Sequence, residues 1–123
     1  MKLLNDFYHI DAIITNDVDL TCKVGLNAGH AIYKAHFPGN PITPGVVLVQ
    51  IATELISSVH GRDYQLCEAV DIKFRRTVTP DVAPVFTFTK VTEADGVVSA
   101  RISIDADGTT YAKMSLKFRE IEA

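Results

Sequence analysis

Hydrophobic and polar residues alternate along the C-terminal part of the chain with a period of two. Between 111 and 119, Ala112, Met114, Leu116 and Phe118 interleave with Lys113, Ser115, Lys117 and Arg119. Between 98 and 104, Val98, Ala100, Ile102 and Ile104 interleave with Ser99, Arg101 and Ser103. Strict alternation puts one set on a core and the other in water, the signature of a strand with one buried face. Asp95-Gly96 and Asp107-Gly108 supply tight turns, and residues 85–91 form a third β-rich run. Residues 85–119 are therefore predicted to form an antiparallel meander. The N-terminal half predicts two looser strands, at 10–14 and 19–26, and a further one at 66–76 that is broken by Thr79-Pro80-Asp81.

Between these groups the period changes. Val46, Val47, Leu48, Val49, Ile51, Ala52, Leu55, Ile56 and Val59 make one segment apolar around most of its circumference. Thr43 is the expected N-cap, Pro44 the first helical residue and Gly61 the stop. A helix of this kind belongs in an interior. One long buried helix with a single antiparallel sheet predicts an α+β fold, a sheet wrapped around a helix. Within the helix Gln50, Thr53, Glu54 and Ser57 fall at i, i+3, i+4 and i+7 and share one face. That stripe reads in two ways, as a solvent-facing surface or as the lining of a substrate cavity one turn beyond the helix start.

The size and composition, 123 residues with 47% hydrophobic and 22% charged, predict one globular domain over 1–123. A net charge of -3 gives no reason to expect nucleic-acid binding. No run approaches the ~18 apolar residues of a membrane span. The start Met-Lys-Leu-Leu-Asn-Asp-Phe lacks the apolar segment and cleavage site of a signal peptide, so a cytoplasmic location is expected. Cys22 and Cys67 fall inside strands without metal-ligand spacing and read as small buried apolar residues. His9, His30 and His60 have no second ligand at metal-binding spacing, so no metal site is expected. Neither a phosphate-binding glycine loop nor a nucleophile elbow occurs. Lys73, Arg75, Arg76 and Lys34 read equally as a basic patch or as solvated strand edges.

The segment 36–45 is the most informative for chemistry. His-Phe-Pro-Gly-Asn-Pro-Ile-Thr-Pro-Gly packs three prolines and two glycines beside one histidine and opens into the apolar helix. Prolines fix φ and remove N–H donors, whereas glycines permit close approach and left-handed backbone. The imidazole of His36 can take and return a proton near neutral pH. The N–H groups of a helix start can hold a developing negative charge. A base beside an oxyanion site is what proton abstraction next to a carbonyl requires.

The run His36-Phe37-Pro38-Gly39-Asn40-Pro41-Ile42-Thr43-Pro44-Gly45-Val46 resembles the signature of the β-hydroxyacyl-[acyl carrier protein] dehydratases of fatty-acid synthesis, the FabZ/FabA type. The run Val70-Asp71-Ile72-Lys73-Phe74-Arg75-Arg76, followed by Thr77-Val78-Thr79-Pro80, is similar to that family's second block. The resemblance implies a hot-dog fold and a two-fold dimer or a higher oligomer, with active sites at the interface. Each site takes its histidine from one subunit and its acid from the other. The implied substrate is a 3-hydroxyacyl thioester on the phosphopantetheine of acyl carrier protein, converted to the 2-enoyl thioester without metal or redox cofactor.

Carried over by position, His36 matches the catalytic base and Gly45 the glycine whose N–H binds the thioester oxygen. Phe37, Pro44 and Val46, in the same motif, complete the substrate-binding candidates. The family's catalytic carboxylate stands fourteen residues after the histidine, where this chain has Gln50, and the family's glutamine one turn later is here Glu54. Gln cannot deliver a proton to a departing hydroxyl. Three readings stay open: a dehydratase using Glu54 as acid, a half-site subunit lending His36 to a mixed dimer, and a hot-dog acyl thioesterase. The first is the expectation carried forward.

Overall fold

The computed structural model describes residues 2–16 and 19–121. Six strands, β1 (Tyr8–Thr15), β2 (Leu20–Leu26), β3 (Tyr64–Phe74), β4 (Val85–Ala94), β5 (Val97–Ala106) and β6 (Thr109–Glu120), form one antiparallel sheet in the order β1-β2-β4-β5-β6-β3. Two helices, α1 (Ala31–Ala35) and α2 (Gly45–His60), lie between β2 and β3 in sequence. The meander β4-β5-β6 has the predicted order, and its turns fit their residues. Asp95, Gly96, Asp107 and Gly108 all have positive φ, the two-residue geometry whose twist matches that of the strands it joins.

The core explains the wrapping. Ile51, Ala52, Leu55 and Ile56 of α2 are fully buried and cluster with Cys22, Val24, Phe86, Phe88, Ile104, Leu116 and Phe118 from four strands. Each strand contributes alternate residues, so the helix meets the apolar face and the charged residues of β5 and β6 face away. Among the described residues no helix is long and apolar enough to cross a membrane.

Several expectations need correction. Helix α2 begins at Gly45, with Pro44 as N-cap and no side-chain cap. Thr43 does not cap it, because its hydroxyl, buried at 5% exposure, pairs with Tyr33 Oη at 2.8 Å. Gly61 does end the helix, at φ 64°. The short helix α1 has no counterpart in the hydrophobic pattern. Strand β4 runs past 91 by absorbing a register shift between Thr89 and Thr92, with Lys90 at positive φ. Cys22 is buried as expected, but Cys67 is exposed because β3 is an edge strand. That edge, 11 residues long, leaves Leu66, Val70 and Phe74 exposed.

Two outcomes follow for the core. Leu55→Ala should destabilise the chain by about 2–5 kcal/mol, the cost of emptying a well-packed site, read as a lower urea midpoint with an unchanged slope. Burial pushes the Cys22 thiol from 9.0 up to about 11. A pKa raised on folding gives stability that is complete below the unfolded value and lost as pH rises through the folded one. Urea midpoints measured from pH 9 to pH 11 should therefore fall more steeply for the wild type than for Cys22→Ala.

Candidate active site

The histidine loop is held by its backbone, which leaves the imidazole unencumbered. Helix α1 is capped by His30, whose Nδ1 accepts from Ile32 N–H at 3.0 Å. That acceptor role places the ring proton on Nε2, which donates to the Asp6 carboxylate at 3.1 Å. The Phe7 ring meets His30 edge-on at 5.1 Å. His36 ends α1, its N–H donating to Ile32 O at 2.9 Å and its carbonyl accepting from Ile42 N–H at 2.8 Å. The next residue along, Thr43, donates its N–H to Val78 O, so the second motif pins the first. The His36 side chain is exposed, with the Phe37 ring 5.7 Å away across a cis peptide bond. Phe37 and Val46 are 53% and 72% exposed, an apolar surface beside the imidazole.

The start of α2 is an uncapped donor pair. Val47 and Leu48 donate to Pro44 O, while the N–H groups of Gly45 and Val46 precede any intrahelical acceptor. A Cβ at position 45 would lie 2.5 Å from the Phe74 ring, so a larger residue here would have to displace that half-exposed side chain. Pro44, Gly45, Leu48, Phe74, Arg75 and Arg76 line a cleft of about 270 Å³. Of the sequence-predicted basic group, Arg75 and Arg76 are here, Lys73 lies on the open sheet face beside Arg75, and Lys34 lines neither hollow.

The polar stripe of α2 lines a different cavity. Gln50, Thr53, Glu54 and Ser57 border a cleft of about 420 Å³ with Lys2, Leu4, Arg62 and Tyr64. Thr53 and Ser57 spend their hydroxyl protons on the helix carbonyls of Val49 and Thr53. Glu54 is 9% exposed and accepts from four donors: Leu3 N–H (2.8 and 3.0 Å to its two oxygens), Leu4 N–H (2.8 Å), Tyr8 Oη (3.1 Å) and Gln50 Nε2 (2.7 Å). Burial, then the Glu54 charge and its hydrogen bond, raise the Tyr8 phenol well above its ordinary value. All four of these neighbours donate to the carboxylate.

The structure thus groups Pro44 and Gly45 in one cleft and Gln50 with Glu54 in another, while His36 and Phe37 stand on the exposed loop between α1 and α2. Within one protomer His36 and Glu54 do not share a cavity. Glu54 anchors the N-terminal segment to α2 through the Leu3 and Leu4 amides. Tyr8, the Leu3 and Leu4 amides and His30 all shape these surroundings without a sequence signal for it. Among the described residues no group of three or more His, Cys, Asp or Glu is placed to hold a metal ion.

With this geometry in hand, the relatives can be compared. A family model described as ApeI dehydratase, ApeI-like, matches residues 12–115. The 3-hydroxyacyl-[acyl-carrier-protein] dehydratase FabZ of Lactococcus lactis subsp. lactis is 29% identical over 116 residues, spanning 87% of this chain and 76% of that one. FabZ of Latilactobacillus sakei subsp. sakei is 27% identical over 102 residues, 76% of this chain and 73% of the relative. Among solved structures, the dehydratase heterocomplex ApeI:P from Xenorhabdus doucetiae superposes with a TM-score of 0.74 at 14% identity, over 89% of this chain and 96% of that one. A hypothetical thioesterase with coenzyme A from Streptococcus pneumoniae TIGR4 gives 0.63 at 14% identity, over 95% and 90%. The structural likenesses establish the hot-dog fold.

The anchoring role of Glu54 has a direct test. Glu54→Leu should cost about 1–3 kcal/mol, because buried donors lose their acceptor, and should abolish amide-exchange protection at Leu3 and Leu4. Unchanged protection there would show that the N-terminal segment is held by other contacts.

Proposed function

The chain belongs to the ApeI-like dehydratase family, and from that premise we propose that it acts on 3-hydroxyacyl thioesters carried by acyl carrier protein, as the histidine-bearing half of a mixed dehydratase dimer. His36 takes the proton from C2, beside the thioester carbonyl. The negative charge that develops on the thioester oxygen is received by the N–H of Gly45. The C2–C3 double bond forms as the C3–O bond breaks, and the hydroxyl leaves as water once an acid protonates it. Phe37, Pro44 and Val46 supply apolar walls for the chain on either side of the thioester. The product is the 2-enoyl thioester, an intermediate of fatty-acid or related lipid and polyene synthesis.

The observation that carries the mixed-dimer reading is the Gln50–Glu54 hydrogen bond of 2.7 Å. The position fourteen residues after His36 holds an amide, and the nearest carboxylate is committed to the N-terminal segment. A second chain with a carboxylate at the position of Gln50 would complete the site. The long β3 edge, with Leu66, Val70 and Phe74 exposed, supports pairing with another hot-dog sheet, which would bring His36 against the partner's helix. Open edges of this kind are normally covered.

Assay of the purified chain alone with a 3-hydroxyacyl-carrier substrate is expected to give enoyl formation about 10²–10⁴ below that of a complete dehydratase, the usual loss on removing a general acid. Gln50→Glu should raise turnover. The new carboxyl would sit one turn from Glu54, and two neighbouring carboxylates push one pKa up, which favours a proton donor. His36→Ala in that background should remove the gain while leaving thermal unfolding unchanged. Full turnover by the unmodified chain, lost in Glu54→Gln with its fold intact, would return the acid to Glu54. Release of free carrier thiol in place of enoyl product would make the chain a thioesterase.

A further inference from the structure

Ile32 is bonded at both ends to a histidine. Its N–H donates to His30 Nδ1 at 3.0 Å, and its carbonyl accepts from the His36 N–H at 2.9 Å. The helix that contains it, α1, has five residues, too few to persist on backbone hydrogen bonds alone. Tyr33, buried at its centre, ties that helix to Thr43 through its Oη. The first turn depends on the His30 ring, and the last turn ends on His36.

The ring is held on every side. Its side chain is 15% exposed and lies edge-on to the fully buried Phe7. Asp6, which accepts from Nε2, is itself fixed through its main chain: its N–H donates to Leu3 O at 3.1 Å and its carbonyl accepts from Asn27 Nδ2 at 2.8 Å. Asp6 is the charged group that meets the ring from the N-terminal segment. On the neighbouring elements, Tyr33 Oη is committed to Thr43, His9 of β1 pairs with Asp11 at 2.9 Å, and Lys34 lies in the last turn of α1.

Only a neutral imidazole can make this cap. With its proton on Nε2 the ring accepts at Nδ1; a second proton would set N–H against the Ile32 N–H, donor facing donor. The new positive charge would also stand at a helix start, the end that disfavours cations. Attraction to Asp6 offsets little of this, because the Asp6 side chain is 71% exposed and solvent screens the pair. We propose that His30 is a proton-sensitive positioning residue for His36. Neutral, it caps α1 and holds the His36 main chain through Ile32; protonated, it releases both. The link to dehydration rests on the functional reading above, whereas the latch itself does not. Under that reading two protonations silence the base, its own and that of His30.

The test is NMR on the full chain from about pH 5 to about pH 8, the range in which histidines change charge. Amide-exchange protection factors are read at Ile32 and His36, and the His30 ring is followed by its Hε1 resonance. In the wild type both amides should lose protection by about fivefold or more as the His30 ring takes up its proton. His30→Asn, whose side-chain oxygen accepts the same bond without titrating, should keep both protected throughout. His30→Ala should leave both at the low level at every pH. The Leu55 amide, inside α2, should not follow the His30 titration. Protection that stays flat while the His30 ring titrates overturns the proposal. Equal loss in His30→Asn and His30→Ala overturns it too, by making the ring a packing partner of Phe7 and no cap. If His30→Ala does not fold, the wild type and His30→Asn across pH decide between these outcomes. A kinetic arm reads the consequence for the base: in the Gln50→Glu background, the acid limb of kcat/KM should be steeper with His30 than with His30→Asn. Identical limbs would remove His30 from the reaction. Absence of turnover in both would count against the functional reading, while the amides still decide the latch.

Discussion

Everything in this molecule follows from having to bury a helix that is apolar nearly all round. No single flat surface covers α2, so the sheet must curve about it, and six strands supply the alternating apolar faces that do so. The same requirement turns each polar side chain on α2 into a problem of satisfaction, since a buried polar group without a partner costs more than the bond it would make. Thr53 and Ser57 solve it locally through the helix carbonyls. Glu54 cannot, and draws in Leu3, Leu4 and Tyr8. The N-terminal segment is thus part of the helix's solvation shell.

That solution separates two roles which the sequence places one turn apart. A carboxylate that satisfies four donors is a fixture of the fold, and the residue at the neighbouring position is an amide that serves it. The histidine loop is arranged in the opposite way. His36 is fixed only through its main chain, and the Gly45 and Val46 donors are left without a cap because Tyr33 takes the Thr43 hydroxyl. The His36 imidazole is thus exposed, whereas the Glu54 carboxylate is absorbed into structure.

The alternation at 98–104 and 111–119 and the two Asp-Gly turns were legible because strand period and turn backbone are local properties. The length and burial of α2 were legible for the same reason. Helix α1 was not, since five residues are too few for a periodic signal and its cap is a histidine. The Thr43 cap was misassigned because the competing partner, Tyr33, is brought up by tertiary structure. Cys67 looked buried because its strand looks like the others, and nothing local marks β3 as an edge. For Glu54 three of the four donors lie 46 to 51 positions away, beyond the reach of any spacing argument. The motif around His36 marked a loop that the fold leaves exposed, whereas the contacts of Glu54 are ones that only folding reveals.

The edge of β3 has one further consequence. A strand edge admits a single neighbour, so pairing with a second copy and pairing with a different chain exclude one another. Under the mixed-dimer proposal the two assemblies would compete by mass action, with populations set by their dissociation constants and by how much of each chain the cell makes. Where one pairing is silent and the other complete, stoichiometry itself becomes a throttle. An excess of this chain would fill its own edge and hold capacity in reserve, and synthesis of the other would draw it out.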